Sequence, residues 1–212
     1  MSMTGRCGWI LGCWLCAISL HAQKMLSDVG QLRDCDLLFH VSSTDNAITS
    51  VTEGTGELKI DHVAIYLKRD GRPYVLEAID AGVVYTPLDT VLAREGYHIV
   101  GRVRGLLDRE RTLHRASAYL GRAYDHLFLP DNTAIYCSEL VEQSYTLVDG
   151  RKVFGTIPMT FTTSTGEILP YWQTFYAEHG MSVPEGHPGT NPGELSRRKA
   201  IKIKYILQRF DK

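Results

Sequence analysis

Cys137, His62 and Glu77 are the residues of this sequence whose types together suit nucleophilic acyl chemistry. A thiol attacks carbonyl carbon when it is deprotonated, an imidazole can take and return the proton, and a carboxylate can orient the imidazole. Cys137 follows a Pro130-Asp131-Asn132 turn and opens the run Cys137-Ser138-Glu139-Leu140-Val141, which predicts a helix beginning at the cysteine. Free amides and the positive end of the dipole at a helix start stabilise a thiolate, lowering its pKa from about 8.5. Each residue also has a plainer reading. A free cysteine is most often a small buried hydrophobe, and a lone His or Glu on a strand most often meets solvent or a backbone group.

What must bring these residues together is the stretch from His62 to Ile79. His62–Lys68 and Pro73–Ile79 are β-rich alternating runs on either side of Asp70-Gly71, the pattern of a two-residue hairpin. With Asp70 and Gly71 in the turn, Arg69 faces Arg72, Leu67 faces Tyr74, Ile65 faces Leu76 and Val63 faces Ala78. That places the apolar set on one face and His62, Ala64, Tyr66, Val75 and Glu77 on the other. His62 and Glu77 become diagonal neighbours, about 7 Å apart between backbones and within reach of their side chains. A slip of one residue would undo this pairing and also turn the apolar set outward.

The remaining pattern is that of an α+β domain. Residues 36–41 read as a strand. Residues 42–60 read as a polar loop with a short helix near Ala47–Val51. Gly82–Thr86 and Tyr97–Arg104 read as further strands, with a helical turn over Pro87–Arg94 between them. Leu113, Ala116, Leu120, Ala123 and Leu127 recur at helical spacing behind Asp108, a good N-cap, and predict a helix over 109–124. The helix that opens at Cys137 is expected to run to Asp149-Gly150. Residues 151–195 form a tail rich in Gly and Pro, and Ile201, Ile203 and Tyr205 alternate with lysines as on an edge strand. No internal repeat or linker divides the chain.

Bulk properties exclude several classes. The 212 residues are 44% apolar and 22% charged, an ordinary globular balance, with a formal charge of −1 that gives no basic footprint for nucleic acid. Met1–Arg6 carries one positive charge, Cys7–Leu20 is 14 residues without any, and Ala22 precedes Gln23. This is the layout of a signal peptide over residues 1–22, too short to span a bilayer. It predicts export to the periplasm, with no integral membrane segment once the signal is removed. Ile10-Leu11-Gly12-Cys13 also loosely matches a lipoprotein box. Removal of 1–22 leaves only Cys35 and Cys137, which is neither a disulfide framework nor a zinc-site spacing, so no metal or cofactor is expected. Cys35 is expected to be structural, although a Cys35–Cys137 disulfide is conceivable in an oxidising compartment.

The order His, acid, Cys reverses the Cys-then-His order of papain itself. Asp36-Leu-Leu-Phe, His62-Val-Ala-Ile-Tyr, Leu76-Glu77-Ala78, Tyr124-Asp125 and Tyr136-Cys137-Ser138-Glu139-Leu140-Val141 resemble the circularly permuted NlpC-type papain fold in its YiiX/YebB-like branch. The tail Pro184–Gly193 has the same likeness, so the resemblance covers roughly residues 32 to 195. It implies an antiparallel sheet packed against helices, with a nucleophilic cysteine at a helix N-terminus. It further implies a cysteine hydrolase of the amidase or peptidase type, with relatives that handle acyl chains. Carried over by position, Cys137 is the nucleophile, His62 the base and Glu77 the group that orients His62.

The Cys137 amide is the natural first donor of an oxyanion hole. Tyr66, on the His62 face, is a candidate second donor, and Tyr66, Tyr136 and Ser138 are the candidate substrate-binding residues, with Ser138 also a candidate helix cap. Tyr124 and Asp125 are expected to fix the chain before Cys137. His98, His114, His126 and His179 are taken as core or surface residues. Three functional readings stay open: an exported amidase acting on cell-wall peptide amides, a lipid acyl hydrolase or acyltransferase working through a thioester, and a non-catalytic lipid-binding module. The basic end (Arg197, Arg198, Lys199, Lys202, Lys204) is read as solvated edge protection, with anionic lipid or wall polymer as the alternative.

Overall fold

The Asp70-Gly71 turn forms as its chemistry requires. Both residues have positive φ, 51° and 75°, which a two-residue hairpin turn demands and Gly supplies without steric cost. The computed structural model describes residues 24–25, 29–130 and 133–207, and these described residues form nine strands and five α-helices. The strands are β1 (Lys24–Met25), β2 (Leu37–Val41), β3 (Ile60–Arg69), β4 (Arg72–Ile79), β5 (Gly82–Pro87), β6 (Tyr97–Val103), β7 (Ile157–Pro158), β8 (Pro188–Gly189) and β9 (Ile201–Leu207). The helices are α1 (Leu88–Leu92), α2 (Arg109–Ser117), α3 (Cys137–Ser144), α4 (Pro170–Glu178) and α5 (Pro192–Arg197). The proposed signal segment, residues 1–22, lies outside the described residues.

Seven strands form one sheet in the order β1-β9-β6-β2-β3-β4-β5, and β7 pairs with β8 separately. All neighbours in the large sheet are antiparallel except the short β1–β9 pair. The hairpin register is the expected one, with Ile65 opposite Leu76, Leu67 opposite Tyr74 and Arg69 opposite Arg72.

Both faces of this sheet are covered, which the alternation of the hairpin alone does not show. Val63, Ile65, Leu67, Leu76 and Ala78 belong to the larger core, beneath Ala116 of α2 and Leu140 and Val141 of α3. Ala64, Tyr66 and Val75 lie on the opposite face in a second core, closed by Leu88 and Val91 of α1. A third cluster, built on Met159, Phe161, Trp172 and Tyr176, joins α4 to the chain before α3.

Several elements depart from expectation. The helix at 109 stops at Ser117 rather than 124, because the chain turns through Gly121 at φ 76° and bonds back to β5 through the Gly121 amide and the Val83 carbonyl. Helix α3 ends at Ser144 instead of near Gly150. Tyr145 is extended (φ −77°, ψ 120°) and Thr146 and Leu147 pair with Lys152 and Leu107. Residues 47–51 make hydrogen-bonded turns instead of a short helix, with the Ser50 amide on the Asn46 carbonyl. The Gly- and Pro-rich tail contains α4 and α5, each starting with proline at its first turn. Strand β9 is bonded by β6 along its length and by β1 only at Tyr205 and Ile206, so the stretch bearing Lys202 and Lys204 is paired on one side. Arg198 in the basic stretch is committed to Glu194 and the Gly155 carbonyl.

Candidate active site

Helix α3 packs on β3 and β4, and this contact carries its first residue to the His62 end of the hairpin. Cys137 opens the helix, and Tyr136 occupies the N-cap without a side-chain cap bond, so the first-turn amides remain available at the sulfur. The Cys137 side chain is buried at 3% exposure. It lies in a small pocket that also includes Asp61, Tyr124, Tyr136, Ser138 and Trp172 in its walls.

His62 sits between the two groups expected of it. Its Nε2 donates to Glu77 Oε2 at 2.7 Å, and the ring also hydrogen-bonds the Cys137 sulfur, which leaves Nδ1 for the sulfur. Burial opposes charge on the ring, but the Cys137 sulfur and the Glu77 carboxylate outweigh it and raise His62 to about 10. His62 is therefore protonated at neutral pH.

Glu77 has a partner that sequence reasoning missed. Arg94, just after α1, donates from Nη1 to Oε2 at 2.8 Å and from Nη2 to Oε1 at 2.5 Å. Burial alone would raise the Glu77 carboxyl. Bonds from His62, Arg94 and Thr86 reverse that and hold it well below the usual carboxylate range. A fully buried carboxylate needs this full set of donors to stay ionised. No sequence spacing pointed to Arg94, since it reaches Glu77 from the segment after α1, a helix packed on β4 and β5.

Behind His62 stands a row of histidines. His40 on β2 pairs with His62 on one side and with His98 of β6 on the other. His40 Nδ1 lies 2.6 Å from Asp61 Oδ1, and Asn46 Nδ2 donates to the other Asp61 oxygen at 2.7 Å. His98 is 2% exposed with no hydrogen-bond partner at Nε2. Burial, together with the neighbouring cations at His40, His62 and Arg94, depresses it to about 3, so it is neutral in the fold.

The candidate substrate-binding residues separate into two groups. Tyr136 and Ser138 do line the cysteine pocket, but both are buried and tied to Thr190. The Thr190 amide donates to the Tyr136 hydroxyl at 3.0 Å, and Thr190 Oγ1 donates to Ser138 Oγ at 3.0 Å. Ser138 thus fastens α3 to the 188–191 segment rather than capping the helix. Tyr66 is displaced from the site altogether. It is buried in the second core, where burial and the charges of Asp34 and Asp36 raise its pKa, so it is not the second oxyanion donor. Register placed it on the His62 face, but that face is core two residues further along β3.

Tyr124, and not Tyr66, stands in the wall of the cysteine pocket. It is bridged to Ile135, lines the cysteine pocket, and is raised far above the usual phenol range by burial and by the Cys137 sulfur. The tyrosine read as a support before the cysteine therefore borders Cys137 itself. His126, read as a core or surface residue, packs edge-on against Tyr124 in an adjoining groove. Cys35 is free and buried, with Sγ on the Arg109 carbonyl at 3.7 Å, and burial pushes it up to about 12. Cys137 is free as well.

A sheet histidine bound to a glutamate, followed in the chain by a cysteine that opens a helix, has the residue types and order expected of a permuted papain-like enzyme. The family model described as permuted papain-like amidase enzyme, YaeF/YiiX, C92 family matches residues 31–203. The chain belongs to this family. The C92 amidase fold explains the chain order, with the sheet bearing His62 and Glu77 preceding the helix that bears Cys137. A crystal structure of YiiX from Escherichia coli O157:H7, described as a metalloprotein, is similar to it with TM-score 0.67 and 24% identity, over 82% of this chain and 96% of that one. A comparison with curated proteins finds no match. Among the described residues no group of three or more His, Cys, Asp or Glu side chains is placed to hold a metal ion. Beside Cys137, Arg94 and His62 already hydrogen-bond both oxygens of Glu77, so this carboxylate does not fit a metal ligand. No described helix is long and apolar enough to cross a membrane.

Proposed function

We propose that this protein is an exported thiol amidase whose triad is Cys137, His62 and Glu77. The observation that carries the reading is the position of the His62 ring, bonded to Glu77 through Nε2 and to the Cys137 sulfur on its other side. The thiolate attacks the amide carbonyl, and the oxyanion is met by the Cys137 amide and the Tyr124 hydroxyl. As the intermediate collapses, the C–N bond breaks and His62 gives its proton to the departing amine. Water, deprotonated by His62, then cleaves the thioester, which releases the acid and restores the thiol. Glu77, held by Arg94, fixes the ring and stabilises its charge throughout.

Export would bring such an amidase to peptide amides of the cell wall, the substrate class first expected from the sequence. An acyl-bearing substrate would use the same thioester, and the apolar groove beside Cys137 favours it. Thiol-reactive amide and ester probes test the enzymatic reading. Covalent labelling of the wild type, abolished in Cys137→Ala and strongly reduced in His62→Ala, is the expected result. A wild type that neither labels nor turns over any amide or ester would leave only the binding-module reading.

A further inference from the structure

Two side chains of opposite charge bridge the same two stretches of chain. Glu77 holds His62 on one side and Arg94 on the other. His40, on β2, holds the residues next to these two. Its Nδ1 lies 2.6 Å from Oδ1 of Asp61, which precedes His62, and its Nε2 lies 2.6 Å from the carbonyl oxygen of Glu95, which follows Arg94. A ring therefore closes through His62, Glu77, Arg94, Glu95, His40 and Asp61. Gly96 marks how closely the chain after Arg94 lies on β2. A Cβ there would fall 2.3 Å from the Val41 carbonyl oxygen and 3.0 Å from His40 Nε2.

The chemistry of the two acceptors fixes the state of His40. A carbonyl oxygen only accepts, so Nε2 carries a proton. Burial alone would raise the Asp61 carboxyl, but bonds from His40 and Asn46 and the charges of His40 and His62 lower it. Asp61 is thus ionised, and Nδ1 carries a proton as well. With both nitrogens protonated the ring is a cation, and each of its bonds is charge-assisted. Burial opposes this charge, as does His62 on β3, but the bonds to Asp61 and Glu95 and the Asp61 charge outweigh them and raise His40 above its ordinary value. The other groups around the ring do not oppose it. His98 on β6, with its ring centroid 5.2 Å away, is neutral, and the Glu95 carboxylate accepts from Ser43 Oγ at 2.6 Å.

We infer that His40 is a positioning residue of the amidase site, an imidazolium clasp that fixes the chain beside His62 against the chain beside Arg94. It thereby sets the geometry of both donors to Glu77. The inference rests on the reading of Cys137, His62 and Glu77 as the triad. A neutral imidazole has a single N–H, so on losing its proton His40 keeps one bond of the two and the clasp opens. The clasp is complete below the ordinary histidine value of about 6.5 and is lost as pH climbs through the raised one.

Two measurements on the full chain test this. The first is nitrogen NMR of isotopically labelled histidine, with the His40 signals assigned by their loss in His40→Gln. Both ring nitrogens of His40 should carry protons at about pH 7.5, one unit above the ordinary value. A bare ring nitrogen at that pH would overturn the inference.

The second is the rate at which a thiol-reactive amide probe labels Cys137 as a function of pH. His40→Gln, whose single amide nitrogen cannot stand at both ring positions, should label more slowly by about tenfold or more. In the wild type the rate should fall along the His40 titration seen by NMR. Asp61→Asn removes the facing charge and should move that titration and the fall in rate to lower pH together, a coupling that a merely structural role would not produce. Labelling of His40→Gln at the wild-type rate, or a fall in rate unmoved in Asp61→Asn, would overturn the inference and leave the triad standing. A wild type that never labels, with His40 doubly protonated, would instead refute the triad on which the inference rests.

Discussion

Arg94 grips both carboxylate oxygens of Glu77, at 2.8 and 2.5 Å, while Glu77 is fully buried and also receives His62. The guanidinium therefore does two things: it neutralises a carboxylate in the sheet and sets the direction from which the remaining lone pair meets the imidazole. Arg94→Met would leave that carboxylate with too few donors. We expect a loss of about 3 kcal/mol in urea unfolding, the usual cost of stripping one partner from a buried pair. Glu77→Gln in the same background should recover much of that stability without recovering activity.

The site also makes stability depend on pH with opposite signs at two histidines. His62 is raised to about 10 from 6.5, so its contribution is complete below pH 6.5 and is lost as pH climbs through about 10. His98 is depressed to about 3. Below pH 6.5 the unfolded chain takes up a proton that the native His98 refuses, so stability falls from there toward pH 3, by at most about 1.4 kcal/mol per pH unit. Urea midpoints between pH 7 and 4 should flatten in His98→Leu. An unchanged acid slope would show that His98 is protonated in the native protein.

Tyr136 and Tyr124 both border the cysteine, but their hydroxyls do different work. Tyr136→Phe removes the acceptor of the buried Thr190 amide, and an unsatisfied buried donor costs about 1–3 kcal/mol. Its expected signature is lowered stability with thiol alkylation rates close to wild type. Tyr124→Phe should do the reverse, losing about 100-fold in turnover, as for removal of one oxyanion donor, with little change in stability or alkylation.

Gly189 in β8 is a close-approach position. A Cβ there would run into the Met159 side chain and come within 3.0 Å of the Tyr136 hydroxyl. Gly189→Ala should therefore disturb the segment that holds the start of α3, lowering both the thermal midpoint and activity. Gly150→Ala, at a turn with no heavy atom near its Cβ, should affect stability only through its positive φ.

The parts of the site legible in the sequence are those set by short-range rules. Asp-Gly fixed the register of β3 and β4, the register brought His62 to Glu77, and the pattern from Cys137 to Val141 started a helix at the cysteine. Groups contributed by distant segments were not legible. Arg94 arrives from the segment after α1, and Asp61 reaches the pocket wall beside a register shift between β2 and β3 at His40 and Val41. Trp172 comes from a helix hidden in a Gly- and Pro-rich tail. Tyr66 shows the converse limit, since sharing a sheet face with His62 says nothing about which part of that face is covered. The apolar groove beside Cys137 depends on residues 46–53 folding against α4, a contact no local pattern encodes.

The most direct test of the account is the rate at which iodoacetamide alkylates Cys137 near neutral pH, measured by mass spectrometry in the wild type and in His62→Ala. Cys35 serves as an internal reference, because it is buried and its thiol is raised to about 12. The account requires rapid modification confined to Cys137 in the wild type and a drop of about tenfold or more in His62→Ala. Alkylation of Cys137 at the same rate in both proteins would contradict it.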